Sequence, residues 1–391
     1  MTRRVRCFRD ALLVTLLLVS LAVGAAADDW PNWRGPTHDG ISLEKDWKPQ
    51  ALSDAKVLWR ANVGVGHSSF AVADGKVYTM GNARNRDQVF CFDAATGKEV
   101  WKKSYPCGAG NYAGPRATPT VDGKYVYTFS REGHLCCFDA ASGRSKWDRK
   151  LNVGMPSWGL ASSPLINGSR VIVNAGAAGM AFSKRNGRPS WGRGGTGGYA
   201  SVVPMKRGSR TTLLVFGERE LIGVSTGGRR SFSYPWQTSH NVNAADPVVA
   251  GNRVFITSGY GKGCAMLSSS GRRVWQNTHM RAHFNSPVHY KNYLYGFDDA
   301  SLVCLDAKDG GRKWTERAPR KGGLMLADDK LIIQGESGEV MIAEASPDRY
   351  KQIARARVGL GHSWTAPVLA NGRLYCRDDR GNVVCIDVSG K

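Results

Sequence analysis

The chain has 391 residues, of which 42% are hydrophobic and 22% are charged. Lys and Arg number 54 against 32 Asp and Glu, so the formal net charge is +22. Beyond an apolar run near the N-terminus, no segment approaches the ~20 apolar residues that a membrane helix needs, which excludes a transmembrane segment in the processed chain. The length exceeds the ~250–300 residues at which a single core stops growing, which favours a repetitive architecture.

The first 27 residues have the pattern of a secretory signal peptide. An apolar run from residue 11 to about residue 23 lies between four arginines and the small residues 25–27. We therefore predict cleavage after Ala27 and export to the periplasm or cell envelope, or out of the cell. Because Cys7 precedes the apolar run, the pattern contains no lipoprotein acylation site. The mature chain keeps a formal charge of +19.

From residue 59 onward, a large aromatic residue recurs at intervals of 36 to 46 residues. The members of this series are Trp59, Trp101, Trp147, Trp191, Phe232, Trp275, Trp314 and Tyr350. A period of about 42 residues is typical of β-propeller blades. The sequence therefore predicts one structural unit that is repeated through almost the whole mature chain.

A short motif precedes most of these aromatic residues: a small residue, a hydrophobe, Asp, two residues, Ser/Thr/Asp, Gly, a basic residue, and then Trp. The clearest copies begin at Cys91, Cys137 and Cys304, and weaker copies begin at Ala181 and Ala265. Asp can accept hydrogen bonds from nearby backbone N–H groups and Gly takes a positive φ without steric cost, so the motif predicts a hairpin turn. The Trp then falls on the next strand, where we expect it to be clamped between neighbouring blades.

These copies resemble the signature of the pyrroloquinoline-quinone (PQQ) type propeller repeats, Ala-x-Asp-x-x-Thr-Gly-Lys-x-x-Trp, with Cys in place of Ala. The resemblance covers residues 56–391 and implies an all-β, eight-bladed β-propeller of the quinoprotein alcohol dehydrogenase type. Within this class, the chain resembles the outer membrane protein assembly factor B type in fold, without its lipid anchor.

Eight further hairpin turns, half of them of Asp-Gly or Asn-Gly type, lie between short apolar strands and predict eight blades. They fall at positions 74–75, 122–123, 167–168, 207–208, 251–252, 291–292, 328–329 and 371–372. The last unit ends before the strand that would carry its aromatic residue. Conversely, the strand around Trp59 resembles the fourth strand of a blade, but no first, second and third strands precede it. We therefore predict that this N-terminal strand completes the last blade and closes the ring, which hides both sheet edges. Trp30 and Trp33, in the N-terminal extension 28–55, are expected to pack across that closing blade.

Eight cysteines remain in the mature chain. Four of them occupy one repeat position in different blades: Cys91, Cys137, Cys304 and Cys385. They are too far apart for disulfides, so we expect small buried apolar side chains. Cys136, next to Cys137, should point to the opposite face of its strand. A bond between Cys376 and Cys385 across one hairpin stays open.

Basic residues recur after the turn glycines and would form a ring of positive charge on one face: Lys98, Arg144, Arg188, Arg229, Arg230, Arg272, Arg273, Arg312 and Lys313. The ring is either a solvated surface or a site for anionic polymers or partner proteins of the envelope. Nucleic acid is not expected, because the chain is predicted to be exported and has no basic stretch with interleaved aromatic residues. We expect a monomer.

Strand order predicts which loops surround the central channel. The turns between strands 1 and 2 and between strands 3 and 4 share one face, here named the turn face. The connections between blades lie on the opposite face and carry distinctive side chains, so we expect a ligand or partner at the channel mouth there. The candidate residues are His67, Arg116, Trp158, Asn243, Asp246, Asn285, His362 and Trp364.

His67 and His362 lie in matched motifs before the first and the last blade, so ring closure would place them side by side. No His or carboxylate occupies the equivalent position in the other blades, and two histidines do not make a metal site. We therefore predict that they hydrogen-bond glycine-rich loop backbone and hold no metal. Trp158 and Trp364 are open between lid packing and stacking on a ligand.

Two functions are consistent with this pattern. The first is an exported propeller without catalytic activity, a protein-interaction or ligand-binding scaffold in the cell envelope that needs no cofactor. The alternative, implied by the resemblance, is a small PQQ-dependent dehydrogenase of an alcohol or sugar, in which stacking aromatics, an Arg and a calcium ion would hold the quinone. The channel-facing strand starts offer only Asp246 as a carboxylate, and no catalytic residue transfers position by position.

Overall fold

The computed structural model describes residues 29–317 and 320–390, so the predicted signal peptide lies outside the described residues. In these two ranges the secondary structure is almost entirely β and forms eight sheets of consecutive antiparallel strands. The all-β, eight-bladed propeller is confirmed. Within the same ranges, no helix has the length and apolar character required to cross a membrane.

The chain enters the ring through an extension with two strands, β1 (Ile41–Ser42) and β2 (Val57–Asn62), separated by the 3-10 helix Pro49–Asp54. Blades 1 to 4 then follow in order. Their strands are, for blade 1, β3 (Ala71–Ala73), β4 (Lys76–Ala83), β5 (Arg86–Asp93) and β6 (Glu99–Pro106); for blade 2, β7 (Thr120–Asp122), β8 (Tyr125–Phe129), β9 (His134–Asp139) and β10 (Ser145–Lys150); for blade 3, β11 (Leu165–Asn167), β12 (Arg170–Val173), β13 (Met180–Ser183) and β14 (Pro189–Trp191); and for blade 4, β15 (Val203–Arg207), β16 (Arg210–Phe216), β17 (Glu220–Ser225) and β18 (Arg230–Pro235).

Blades 5 to 8 complete the ring. Their strands are, for blade 5, β19 (Val248–Ala250), β20 (Arg253–Ser258), β21 (Gly263–Ser268) and β22 (Arg273–Asn277); for blade 6, β23 (Val288–Tyr290), β24 (Tyr293–Asp298), β25 (Ser301–Asp306) and β26 (Arg312–Glu316); for blade 7, β27 (Gly322–Ala327), β28 (Lys330–Gly335), β29 (Glu339–Glu344) and β30 (Gln352–Arg357); and for blade 8, β31 (Val368–Ala370), β32 (Arg373–Arg377) and β33 (Asn382–Asp387). First strands of neighbouring blades contact one another, so they line the central axis.

The predicted hairpin turns all fall between the first and second strands of their blades. In blade 1, Asp74 and Gly75 have φ values of 50° and 69°, a conformation that two-residue hairpins require and that Gly adopts without strain. Local turn chemistry therefore sets the register of each blade, which explains why the blade count could be read from the sequence.

The recurring indoles join one blade to the next. Trp101 Nε1 donates to Ala140 O at 2.9 Å, and Trp147 Nε1 donates to Lys184 O at 3.0 Å, in each case across to the following blade. Each ring covers the turn glycine of that blade, and a Cβ atom added to Gly143 would come within 2.7 Å of the Trp101 ring. The Trp and Gly of the repeat motif are thus two halves of one inter-blade contact.

Blade 7 departs from the repeat. The prediction that Tyr350 supplies its aromatic residue is wrong, because Tyr350 precedes β30 and its ring meets Trp314 of blade 6 at 6.0 Å. Ala354 lies opposite Ile342, the strand position that Trp101 occupies in blade 1. Blade 7 therefore presents no indole to blade 8.

The N-terminal extension takes the place of the missing indole. Lys48 lies against Gly390 in the last turn of blade 8, and its backbone N–H donates to Val388 O at 2.7 Å. Trp47 and Leu52 are buried in the same hydrophobic cluster as Ala354. The seam between blades 7 and 8 is therefore packed by residues from the other end of the chain.

Ring closure follows the prediction. Strand β2 pairs antiparallel with β33, with Trp59 opposite Cys385, and Trp59 Nε1 donates to Ala94 O of blade 1 at 3.1 Å. All eight cysteines of the described residues are buried and free. In blade 8, Cys376 lies opposite Val384 and Tyr375 lies opposite Cys385, so the two cysteines point to different faces of the sheet and cannot bond.

Candidate functional site

A cavity of about 200 Å³ opens at the channel mouth, among the connections between blades. We name it the cup. Aromatic side chains dominate its lining: Trp33, Tyr112, Trp158, Tyr199, Tyr260, Phe284 and Trp364. Polar and titratable side chains complete it: His67, Arg116, Ser163, Ser201, Asp246, His283, Asn285 and Thr365. Every blade except blade 7 is represented through its leading connection or inner strand, because the up-and-down topology returns each of these connections to the same face.

Six of the eight candidate residues line the cup: His67, Arg116, Trp158, Asp246, Asn285 and Trp364. The other two do not. Asn243 is buried behind the wall, where its amide donates to Gly217 O at 2.8 Å and to Trp236 O at 3.1 Å and its oxygen accepts from Ser258 Oγ. His362 lies outside, with about half of its side chain exposed.

The floor of the cup is a contact between two distant parts of the sequence. Trp33 Nε1 donates to Asp246 Oδ2 at 2.5 Å, and the backbone N–H of Ser201 donates to Asp246 Oδ1 at 2.7 Å. Burial raises the pKa of Asp246 to about 6, although Arg34 and both hydrogen bonds favour the ionised form. The expectation that Trp30 and Trp33 pack across the closing blade holds for Trp30. It is wrong for Trp33.

The rest of the extension plugs the channel from the turn face. Arg34 is buried, and its guanidinium donates to Ser286 O at 3.1 Å and to Pro287 O at 2.7 Å at the start of blade 6. Burial lowers the pKa of Arg34. Strand β1 adds a parallel strand to the inner edge of blade 7, with Ile41 opposite Leu326. The cavity is consequently a cup with a floor.

A cluster of polar and titratable side chains lies at the rim where blades 7, 8 and 1 meet. His362 Nδ1 and Asp379 Oδ2 are 2.5 Å apart, and His67 Nδ1 lies 3.1 Å from Asp379 Oδ1. Glu336 accepts from Trp364 Nε1 at 3.0 Å. The interpretation that the two histidines bind loop backbone is wrong, because they share one carboxylate. Burial raises the pKa of Asp379, but the two histidines outweigh it and leave that pKa lowered.

The rim cluster was predicted to hold no metal. Across residues 29–317 and 320–390, no group of three or more His, Cys, Asp or Glu side chains has a metal-binding arrangement. Asp379 and Glu336 come from loops between second and third strands, which follow no fixed position in the repeat. For that reason no sequence pattern indicated that they would lie beside His67 and His362.

Two tryptophans from different blades contribute to the aromatic wall. Trp364 precedes blade 8 and contacts the rings of Phe284 and Tyr112 at 4.8 and 5.8 Å. Trp158 precedes blade 3 and contacts Tyr199 at 6.1 Å. Both indoles line the cup, so a planar group that enters it meets aromatic surface.

Arg116 ties two of the cup loops together. Its guanidinium donates to Trp158 O at 2.8 Å, Tyr112 O at 3.1 Å and Asn111 O at 3.2 Å. Burial and the nearby Arg131 lower the pKa of Arg116 to about 10, so it remains charged at neutral pH. Its position fixes the backbone that carries Tyr112 and Trp158.

The described blades, their indole contacts and the axial cup together define a β-propeller of the PQQ-repeat class. A comparison with protein families agrees, since the family model described as outer membrane protein assembly factor BamB matches residues 50–111 and 106–316. The chain belongs to this family. A comparison with curated proteins gave no significant match.

Solved structures share the fold at low sequence identity. BamB from Moraxella catarrhalis is 16% identical with a TM-score of 0.64, over 85% of this chain and 99% of that chain. Quinohemoprotein alcohol dehydrogenase from Comamonas testosteroni is 13% identical with a TM-score of 0.71, over 93% of this chain and 81% of that chain. The computationally designed protein Ika8 is 11% identical with a TM-score of 0.61. At these identities the likeness concerns the fold alone.

Proposed function

We propose that this protein is an exported β-propeller of the cell envelope that binds a ligand or a partner protein and does not catalyse a reaction. Two observations support the location. The N-terminal 27 residues have the pattern of a signal peptide. The family to which the chain belongs is described as an outer membrane assembly factor.

The observation that carries the proposal is that both oxygens of Asp246 accept hydrogen bonds from the floor of the cup. Asp246 is the one carboxylate among the residues that line the cup. Its two oxygens accept hydrogen bonds from Trp33 and from Ser201, and both contacts belong to the floor. Each oxygen keeps a second acceptor site, but the floor orients both of them, which supports a structural role for Asp246 over that of a general base or a calcium ligand. The wall that faces an incoming molecule is therefore mainly aromatic, which suits recognition better than chemistry.

The lining also indicates what the cup binds. Aromatic faces from several blades surround a small space, with hydroxyl and amide groups from Ser163, Thr365 and Asn285 at intervals. Aromatic walls with a few placed polar groups suit a ring-bearing ligand, or a single side chain of a partner protein. Trp158 and Trp364 then act by stacking.

A small PQQ-dependent dehydrogenase is the second candidate, favoured by the combination of Trp158, Trp364 and Arg116. A quinone ring would fit between the aromatic walls. The oxygen donors that calcium prefers, usually six to eight, are not assembled nearby, because Asp246 is the one carboxylate among the lining residues and both of its oxygens are engaged by the floor. The residues present thus fit the quinone ring and do not fit its metal ion.

Reconstitution separates the two candidates. Purified protein is titrated with PQQ, with and without calcium, while tryptophan fluorescence, visible absorbance and dye-linked oxidation of alcohols and sugars are followed. Tyr112→Ala removes an exposed cup ring, and Tyr125→Ala removes an exposed ring on the turn face as the matched control.

The proposal predicts no dye reduction by any of the three proteins. Stoichiometric binding of PQQ with dye-linked oxidation, diminished in Tyr112→Ala and retained in Tyr125→Ala, would establish the dehydrogenase instead.

A further inference from the structure

The positive charge of the chain is concentrated in one sector of the ring. Residues 149–297 contain 19 Lys and Arg against three Asp and Glu, a net charge of +16 out of +22 for the whole chain. The flanking segments 28–148 and 298–391 are nearly neutral, at +2 and +1. Blades 3, 4 and 5 therefore carry most of the charge, whereas the repeat alone would spread it evenly around the ring.

Topology places most of these cations on the turn face. Ten of them sit in or next to turns between strands 1 and 2 or strands 3 and 4, and have no ion-pair partner among the described residues: Arg170, Arg185, Arg188, Lys206, Arg207, Arg210, Arg229, Arg253, Arg272 and Arg273. We name this set the basic arc. Eight of its side chains are exposed, and Arg170 and Arg253 are half-buried.

No carboxylate of the sector opposes this charge. Glu218 precedes the third strand of blade 4 and Glu220 begins it, at the other end of the blade, and Asp246 is buried in the floor of the cup. Asp122, in the first turn of the neighbouring blade 2, is paired with Lys184 at 2.6 Å. The field of the basic arc is consequently left for an external anion to neutralise.

The side-chain chemistry indicates phosphate. Of the 19 cations in the sector, 14 are arginines, whose planar fork matches phosphate oxygens in a bidentate manner. In blade 3 a polar recess of about 350 Å³ lies between the turns, lined by Arg170, Arg188, Asn186 and Ser190 with their neighbours. Arg170 Nε donates to Ser190 Oγ at 2.9 Å, which holds one guanidinium at the recess.

The arrangement of the basic arc indicates whether its partner is a flat anionic surface or a linear polyanion. Turns between strands 1 and 2 lie near the axis and turns between strands 3 and 4 lie near the periphery, because strand 1 is innermost in each blade. The basic arc thus extends from the axis to the periphery as well as around the ring. Its cations therefore cover a two-dimensional area on the turn face. A linear polyanion contacts one row of such charges at a time, whereas a plane of phosphates meets both rows.

We propose that the basic arc docks the propeller, turn face down, on a bilayer surface that bears anionic phospholipid headgroups. In this orientation the cup, which opens on the opposite face, points away from the lipid and stays accessible. The inference goes beyond ligand binding by the cup and does not depend on it.

The test compares matched triple variants in a vesicle co-sedimentation assay. Arg188→Gln, Arg229→Gln and Arg272→Gln together remove three arc charges at the position after the turn glycine. Lys98→Gln, Arg144→Gln and Lys313→Gln remove three exposed charges near the equivalent position in blades 1, 2 and 6. Vesicles of phosphatidylcholine mixed with phosphatidylglycerol are compared with phosphatidylcholine alone, at low and high salt, with soluble polyphosphate as competitor.

Wild-type protein should sediment with the anionic vesicles only, and less at high salt. The arc variant should lose about a hundredfold in partition coefficient, since each cation near an anionic bilayer contributes about fivefold. The control variant should lose much less. Equal losses in both variants would mean that vesicle binding depends only on the net charge of the protein. Binding to polyphosphate without binding to vesicles would mean that the partner of the basic arc is a linear polyanion. Either result overturns the proposal. Circular dichroism confirms that both variants fold.

Discussion

The clamp between a Trp and the turn glycine of the next blade can be tested with two glycines of blade 3. Gly187 and Gly168 both adopt a left-handed conformation, with φ of 67° and 59°. A Cβ atom at Gly187 would lie 2.7 Å from Cε3 of Trp147, whereas a Cβ at Gly168 would have no atom within 4 Å. The two substitutions to Ala therefore share their backbone strain and differ in the clash with the indole.

The left-handed conformation costs each alanine about 1–2 kcal/mol. At Gly187 the indole must also shift, and overpacking of this kind adds about 1–3 kcal/mol. Gly187→Ala should therefore lower the free energy of unfolding by roughly 2–5 kcal/mol, and Gly168→Ala by about 1–2 kcal/mol. Urea unfolding followed by circular dichroism measures both. Equal losses for the two variants would refute the clamp between blades 2 and 3.

Three further predictions follow from buried side chains. Trp147→Ala should lower the free energy of unfolding by about 3–5 kcal/mol, measured in the same urea assay, and a loss below ~1 kcal/mol would mean that the ring is not wedged. Burial raises the pKa of Asp87 to about 6, above the ~3.9 of an unfolded chain. The folded state therefore holds the proton more tightly, and wild-type stability falls as pH rises from about 4 to 6. The stability of Asp87→Asn relative to wild type should grow by roughly 2–3 kcal/mol between pH 4 and pH 7, and a constant difference would contradict the burial argument. A chromogenic thiol reagent should find no reactive cysteine in the folded mature protein and eight after unfolding without reductant, because all eight are buried and free; a count of six would contradict this by revealing a disulfide.

The architecture could be predicted because its determinants are local and repeated. Asp93 accepts hydrogen bonds from the backbone N–H and the hydroxyl of Thr96 within its own turn, at 2.9 and 2.7 Å. The same geometry recurs at Asp139, and the glycine that follows receives the indole of the previous blade. Each repeat therefore contains its own turn and one side of the Trp–Gly contact with the next blade. For that reason the repeat period in the sequence predicts a ring of blades in the structure.

The parts that could not be predicted depend on contacts outside the repeat. Trp33 and Asp246 are 213 residues apart, and nothing in the local pattern links them. The extension also replaces the indole missing from blade 7. The sequence period did not reveal that this indole is missing, because Tyr350 stands near the expected position. Asp379 reaches His67 and His362 from an irregular loop. Loops of variable length follow no period, so their side chains could be assigned to a face but not to partners.

We propose that the cup recognises a ligand above a floor closed by Trp33 and Asp246. A crystal structure of the protein grown with PQQ and calcium tests this proposal. The hydrogen bond between Trp33 and Asp246 should stay intact, and no calcium ion should be bound beside Asp246. A quinone held between Trp158 and Trp364, with calcium on Asp246 and Trp33 displaced, would contradict it.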